Sequence, residues 1–173
     1  MELLDRSGAR LFALLTRLTL REDVAEELMQ ELFLKLSHAP QQATIDCWYA
    51  YARRVAINLA FDWRRRHRRR QTVPLEGVSE PISGTRGPVG DLLQAEESEQ
   101  VLAAIGRLQG ASRELFVMRY LQQDSYEDIA TQLGKTPHQV RALCFRAMKE
   151  VREILGCNRG PRSEKGVLRV EHE

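Results

Sequence analysis

The sequence predicts an all-α protein: an N-terminal helical bundle and a C-terminal helix-turn-helix domain of four helices, both small, joined by a flexible linker. Three observations predict it. Apolar residues recur at helical spacing on both sides of a breaker-rich stretch. No alternating two-residue pattern competes with them anywhere. Two capping boxes, at Ser125 and at Thr136, stand one short turn apart.

Each element follows in order. Leu11, Leu14, Leu15 and Leu18 line a first helix; Val24, Leu28, Leu32 and Leu36 a second; Trp48, Ala52, Val55 and Leu59 a third. Residues 71–90 contain Pro74, Gly77, Pro81, Gly84, Gly87, Pro88 and Gly90, which no helix tolerates, so this stretch reads as a linker. Asp91 with Gln94 forms a capping box ahead of a helix over 92–108, and three further helical patterns follow. Beyond residue 155, Gly156, Gly160, Pro161 and Gly166 among mixed charges predict a disordered tail. The expected domains are therefore 1–70 and 91–155, with a linker at 71–90 and a tail at 156–173.

Composition narrows the function classes. The chain is 43% hydrophobic and 29% charged, ordinary globular values. No apolar window is long enough to span a bilayer, and the N-terminus lacks a basic segment followed by an apolar one. A cytoplasmic protein with no membrane insertion is expected. Cys47, Cys144 and Cys157 make no C-x-x-C pair, and His38, His67, His138 and His172 are scattered. No phosphate loop or nucleophile elbow is present either. Neither an enzyme nor a metal or cofactor site is expected.

The net charge of +2 hides a segregation. Residues 22–31 hold five acids (Glu22, Asp23, Glu26, Glu27, Glu31) and no base. Residues 53–70 hold eight arginines against Asp62 alone. Six of them fall within 64–70, at the end of an apolar-periodic helix. Such a local field binds polyanions whatever the total charge, because neutralising phosphates releases counterions.

The second half carries the clearer local signal. Ser125-Tyr126-Glu127-Asp128 and Thr136-Pro137-His138-Gln139 open two helices, the second with proline at its first position. Ala130 is small where two helices must approach, and Gly134 supplies the left-handed residue of a tight turn. Val140, Leu143, Cys144, Ala147, Val151 and Ile154 then line one face of the last helix. The opposite face carries His138, Arg141, Ala142, Phe145, Arg146 and Lys149. The pattern predicts a helix-turn-helix whose second helix enters a major groove, with Arg141 and Arg146 each able to reach guanine or a phosphate; the plainer alternative is a helical hairpin in a structural bundle. Cys144 sits on the apolar side as a small core residue. In the third helix, aromatics mix with arginines around Asn58, whose amide can present a donor and an acceptor to a base edge.

Taken together, these segments resemble the extracytoplasmic-function group of bacterial RNA polymerase sigma factors. The resemblance covers roughly residues 9–70 and 98–155. Residues 25–33 resemble the family's D-A-E-D-L-V-Q-E-V-F stretch, which implies docking on the clamp helices of the largest polymerase subunit through Glu26, Glu27, Leu28, Gln30, Glu31 and Phe33. Residues 48–66 resemble T-W-L-Y-R-I-A-R-N-L-A-L-D-x-L-R-R. That implies capture of the melted −10 element by Trp48, Arg53, Arg54, Asn58, Arg64, Arg65 and Arg66, with Asn58 holding a flipped base. Residues 108–155 resemble the region that reads the −35 element, implying contacts from Thr136, His138, Gln139, Arg141, Ala142, Phe145, Arg146 and Lys149. Three departures stand out. The chain begins close to the helix at Arg10, so the family's first helix is expected to be short or absent. Lys-Ser-Arg of the recognition helix stands here as Arg141-Ala142-Leu143, and the F-x-G-x-x-x-F loop is replaced over 38–47.

The partners implied are core polymerase, at its clamp helices and flap, and promoter DNA in double- and single-stranded form; the resemblance also leaves room for an anti-sigma factor. Twenty extended linker residues reach about 68 Å, whereas the relaxed span is only about 25 Å. Two elements about 70 Å apart (two helical turns) therefore need a scaffold to hold the domains in register. The competing expectation is a stand-alone helix-turn-helix regulator. It calls for a dimer and a ligand or phospho-acceptor module, which residues 1–70 do not resemble. An RNA-binding accessory protein would use the arginines but leave the acidic helix unexplained.

Overall fold

Helix periodicity in the sequence translates into seven α-helices among the described residues. The computed structural model describes residues 2–38, 48–72 and 89–156. In chain order they are α1 (Glu2–Thr19), α2 (Glu22–Ser37), α3 (Trp48–Thr72), α4 (Val89–Arg107), α5 (Gly110–Phe116), α6 (Tyr126–Leu133) and α7 (Pro137–Ile154). A π-helical segment, Val117–Leu121, continues α5. Among the described residues there is no strand, and the all-α class is the one observed.

α1, α2 and α3 pack against one another as the N-terminal domain. Leu11, Leu14, Leu15 and Leu18 of α1 meet Val24, Leu28 and Leu32 of α2 and Ala52, Ala56, Leu59 and Ala60 of α3. The turn between α1 and α2 is tight enough to place Leu20 at φ 58, a left-handed conformation that leucine adopts only at a cost. The buried hydroxyl of Thr19 fastens that turn, lying 2.9 Å from the carbonyl oxygens of both Leu15 and Arg21.

α4 to α7 form the C-terminal domain. Its inner cluster joins Leu115 and Met118 to Ile129 and Ala130 of α6 and Val140 and Cys144 of α7. A second apolar cluster runs on from the N-terminal domain into Leu102, Ala104, Ile105, Leu108, Phe116, Val117, Ala147 and Val151. The two domains therefore share buried surface. Gly106 of α4 lies against α3: a Cβ there would stand 3.2 Å from Phe61 Cδ1. The Arg113 guanidinium covers the same ring at 5.0 Å.

Several boundaries differ from the sequence expectation. α1 begins at Glu2, eight residues ahead of Arg10, and runs for 18 residues. It continues through Ser7-Gly8 because its leucine stripe downstream buries enough surface to carry a weak first turn. α3 runs on to Thr72 and α4 starts at Val89, so helix takes both ends of the expected linker. Asp91 consequently lies inside α4 and does not cap it. Residues 39–47, 73–88 and 157–173 fall outside the described residues, and with them most of the expected loop, linker and tail.

Candidate nucleic-acid interface

The C-terminal helix pair is built by its caps. Ser125 Oγ accepts the Asp128 backbone N–H at 3.0 Å and donates to Asp128 Oδ2 at 2.6 Å, opening α6. Gly134 ends it at φ 60, ψ 39, where a Cβ is disfavoured, and its N–H bonds to Ala130 O. Thr136 then starts α7 with a reciprocal box. Its hydroxyl accepts Gln139 N–H at 3.3 Å, and its own N–H donates to Gln139 Oε1 at 3.0 Å. Thr136 and Gln139, expected at the −35 element, thus have their side chains engaged in holding the helix start.

Beyond the cap, α7 divides as its periodicity requires. Val140, Cys144, Ala147 and Val151 are buried, while His138, Arg141, Ala142, Phe145, Arg146 and Lys149 are exposed. Phe145 is 70% exposed, an unusual place for an aromatic unless a partner covers it. Tyr126 of α6 lies under two guanidinium groups, Arg119 at 4.4 Å and Arg141 at 5.1 Å, so Arg141 is braced from the neighbouring helix. Lys149 lies 3.8 Å from Glu153. Burial pushes the Cys144 thiol above its ordinary range, against Arg119, which lowers it; that fits a core residue and no reactive thiolate.

α3 is partitioned differently. Asn58 and Trp48 are exposed on it, Trp48 edge-on to Tyr51 at 6.1 Å. Trp63 stacks on His67, one turn on, with ring centroids 4.9 Å apart. Arg65 is exposed beside Asp62 at 3.0 Å, and Arg66 is exposed as well. Arg64 binds Leu18 O at 3.2 Å and pairs with Glu99 of α4. Arg54 is exposed yet bound through Nε to Glu114 Oε2 at 2.9 Å.

Arg53 corrects the sequence reading outright. It is 0% exposed, enclosed between the domains, and does not face solvent as a DNA-contacting arginine must. Its guanidinium donates to Gln132 Oε1 at 2.7 Å and approaches Met118 Sδ at 3.1 Å, Asp124 at 3.6 Å and Glu114 at 3.9 Å. It also lies 5.7 Å from the Tyr49 ring, over which Arg10 stands at 5.1 Å. Burial raises the Asp124 carboxyl above its usual range, with Arg53 and Arg10 pulling it back. Glu114 and Asp124 were missed by the sequence reading, since nothing local ties them to a residue some sixty or seventy positions earlier.

α2 shows a second correction. Leu28 is 3% exposed and packs inward with Val24 and Leu32, so it belongs to the domain core and not to a docking face. Glu26, Glu27 and Gln30 are exposed as expected, and Glu31 is partly exposed, 3.5 Å from Lys35. Phe33 at 43% and Leu34 at 56% form an exposed apolar pair beside them. Leu34 was not expected; its place off the 24-28-32-36 stripe is the signal that marks it.

The family description Sigma-70 region 2 matches residues 3–70, and Sigma-70, region 4 matches residues 98–151. The chain belongs to the sigma-70 family. Region 2 takes in α1, α2 and nearly all of α3, and region 4 runs from within α4 into α7. The chain is also similar to the probable RNA polymerase sigma factor RfaY of Xanthomonas campestris pv. campestris, with 30% identity over 140 residues. That match covers 78% of this chain, which spans about a third (34%) of the relative's length. Among solved structures it is similar to the sigma factor RpoE of Bartonella quintana, crystallised with the anti-sigma factor NepR. There the identity is 22%, coverage 91% of this chain and 96% of the other, and the TM-score 0.45. The sigma-factor family expected from the sequence is borne out by the two matched regions. Both helices with candidate DNA-binding faces, α3 and α7, lie largely within the matched regions.

Proposed function

We propose that this chain binds core RNA polymerase, carries it to a promoter and supports strand opening there. One observation carries the reading. α7 presents an exposed basic and aromatic face, opposite a buried apolar one, in a chain whose other half is a sigma region 2. Docking on polymerase falls to Glu26, Glu27, Gln30 and Glu31 with Phe33 and Leu34: complementary charge speeds the encounter, and apolar burial holds it. Arg141, Ala142, Phe145 and Arg146 read duplex DNA at the −35 element, while Arg65 and Arg66 track phosphates near the −10 element.

Opening the strands is the harder step. Stacking is worth about 1.4 kcal/mol per step and flipping a base costs a few kcal/mol. Asn58 alone cannot melt DNA. It captures a base that polymerase and single-strand binding help to expose, with Trp48 and the Trp63–His67 stack offering flat surfaces on the same helix. No chemical step belongs to the chain, and it works in the cytoplasm with the polymerase. An anti-sigma factor fits the same exposed faces. The test is promoter-dependent transcription: core polymerase with the purified chain should initiate at specific sites in a library of upstream sequences. Failure to associate with bacterial core polymerase would reject the proposal.

A further inference from the structure

The ring of Tyr126 gathers two cations that belong to different elements. Arg119, in the π-helical segment, stands with its guanidinium 4.4 Å from the ring centroid, and Arg141 of α7 reaches it at 5.1 Å. The ring has little freedom of its own. Tyr126 is the first residue of α6, directly after the Ser125 cap, and packs partly buried on the inner apolar cluster of the C-terminal domain. Arg119 is fixed in turn, its Nη1 donating to Asp124 O at 2.9 Å. Arg141 is exposed, on the face proposed to read duplex DNA. Arg146 shares that face and has no ring partner among the described residues.

We propose that Tyr126 is a positioning residue for upstream recognition: its ring holds Arg141 in the orientation in which it meets the duplex, and so raises affinity for the −35 element through that arginine. An exposed arginine samples many rotamers, and ordering it on binding lowers affinity. A ring face attracts a guanidinium through its quadrupole while leaving the planar fork of N–H donors free for another partner. Here the ordering is done when the domain folds, before DNA arrives. The ring has a second effect. Arg119 and Arg141 repel each other as like charges, and the negative face of the ring offsets that repulsion, as an aliphatic side chain cannot. Both effects belong to the ring, and the phenolic hydroxyl adds nothing to either.

Two arginines on one face therefore differ in kind. Arg141 is pre-organised from α6, whereas Arg146 is ordered by its own contact with DNA, which makes Arg146 an internal control. This inference rests on the proposed reading of duplex DNA by α7.

The test uses the full chain and a fluorescent duplex carrying the upstream element selected by transcription in vitro. Tyr126→Leu should weaken binding about two- to fivefold, the size of one exposed cation–π contact. Tyr126→Phe keeps the ring and should bind as the native chain does. A double-mutant cycle separates positioning from packing. In an Arg141→Ala background, Tyr126→Leu should weaken binding no further; in an Arg146→Ala background it should keep its full effect. A ring that merely packs α6 would lower affinity equally in both backgrounds. Nuclear magnetic resonance of the free chain gives a readout without DNA: the Arg141 Nε–H signal should be displaced by the ring current in the native and Tyr126→Phe proteins and return towards the ordinary arginine position in Tyr126→Leu. Circular dichroism confirms that each variant keeps its helices. Tyr126→Leu binding as tightly as the native chain, or losing as much without Arg141 as with it, overturns the role and leaves the proposed function standing. A selection that yields no shared upstream element, or a native chain that prefers no duplex, removes both.

Discussion

α3 and α7 carry similar residues to different ends. Both are long helices with an apolar stripe and arginines on the remaining surface. On α7 the exposed face meets solvent, and Arg141 rests on the Tyr126 ring of the adjoining helix. On α3, Arg53 is sealed in and Arg54 and Arg64 are held by carboxylates of the other domain. A run of basic residues thus reports a local field and leaves open which charges are available. Availability is decided by tertiary partners, and those differ between two helices that look alike in sequence.

The largest expected effect separates base capture from docking. Asn58→Ala should abolish open-complex formation while leaving binding to core polymerase intact, as read by permanganate footprinting and pull-down in parallel. Transcription that survives the change would put base capture elsewhere on α3 and bring the two helices closer in role.

Next comes the distinction between a buried leucine and an exposed one. Leu28→Ala should destabilise the fold by about 2–5 kcal/mol, because it leaves a cavity among Val24, Leu32 and their neighbours. Leu34→Ala should leave denaturant stability nearly unchanged and weaken polymerase binding. If the two variants exchange these effects, the register of α2 is wrong.

Much of this register was legible beforehand. The periodicity of α7 separated Cys144 from Phe145 correctly, and the turn around Gly134 follows from its sequence and its caps, because both effects act within a few residues. The leucine stripe of α2 already placed Leu28 inward, and only the family resemblance assigned it outward. Arg53 was out of reach for a different reason. Its partners Glu114, Asp124 and Gln132 lie far along the chain, and no local pattern encodes a contact between two domains. The π-helical segment after α5 is of the same kind: it brings Asp124 N to Met118 O at 3.0 Å without a marker in the residues themselves.

Two smaller effects sharpen the account of α7. Arg141→Ala should weaken binding to the upstream duplex by about 1–3 kcal/mol if it reads a base, with the loss confined to the cognate sequence. Equal losses on every duplex would mark a phosphate contact. Thr136→Ala removes the hydroxyl of the capping box and should lower unfolding stability by about 1 kcal/mol. Its effect on DNA binding should go no further than that loss of helix order, and a base-specific defect would return Thr136 to the recognition surface.

The most direct measurement of the central claim is transcription in vitro with bacterial core polymerase on a randomised upstream library, with and without this chain. The account predicts that initiation appears only when the chain is present and that the selected templates share two separated elements. Unchanged template preference, or a chain that never co-purifies with the core enzyme, would contradict it.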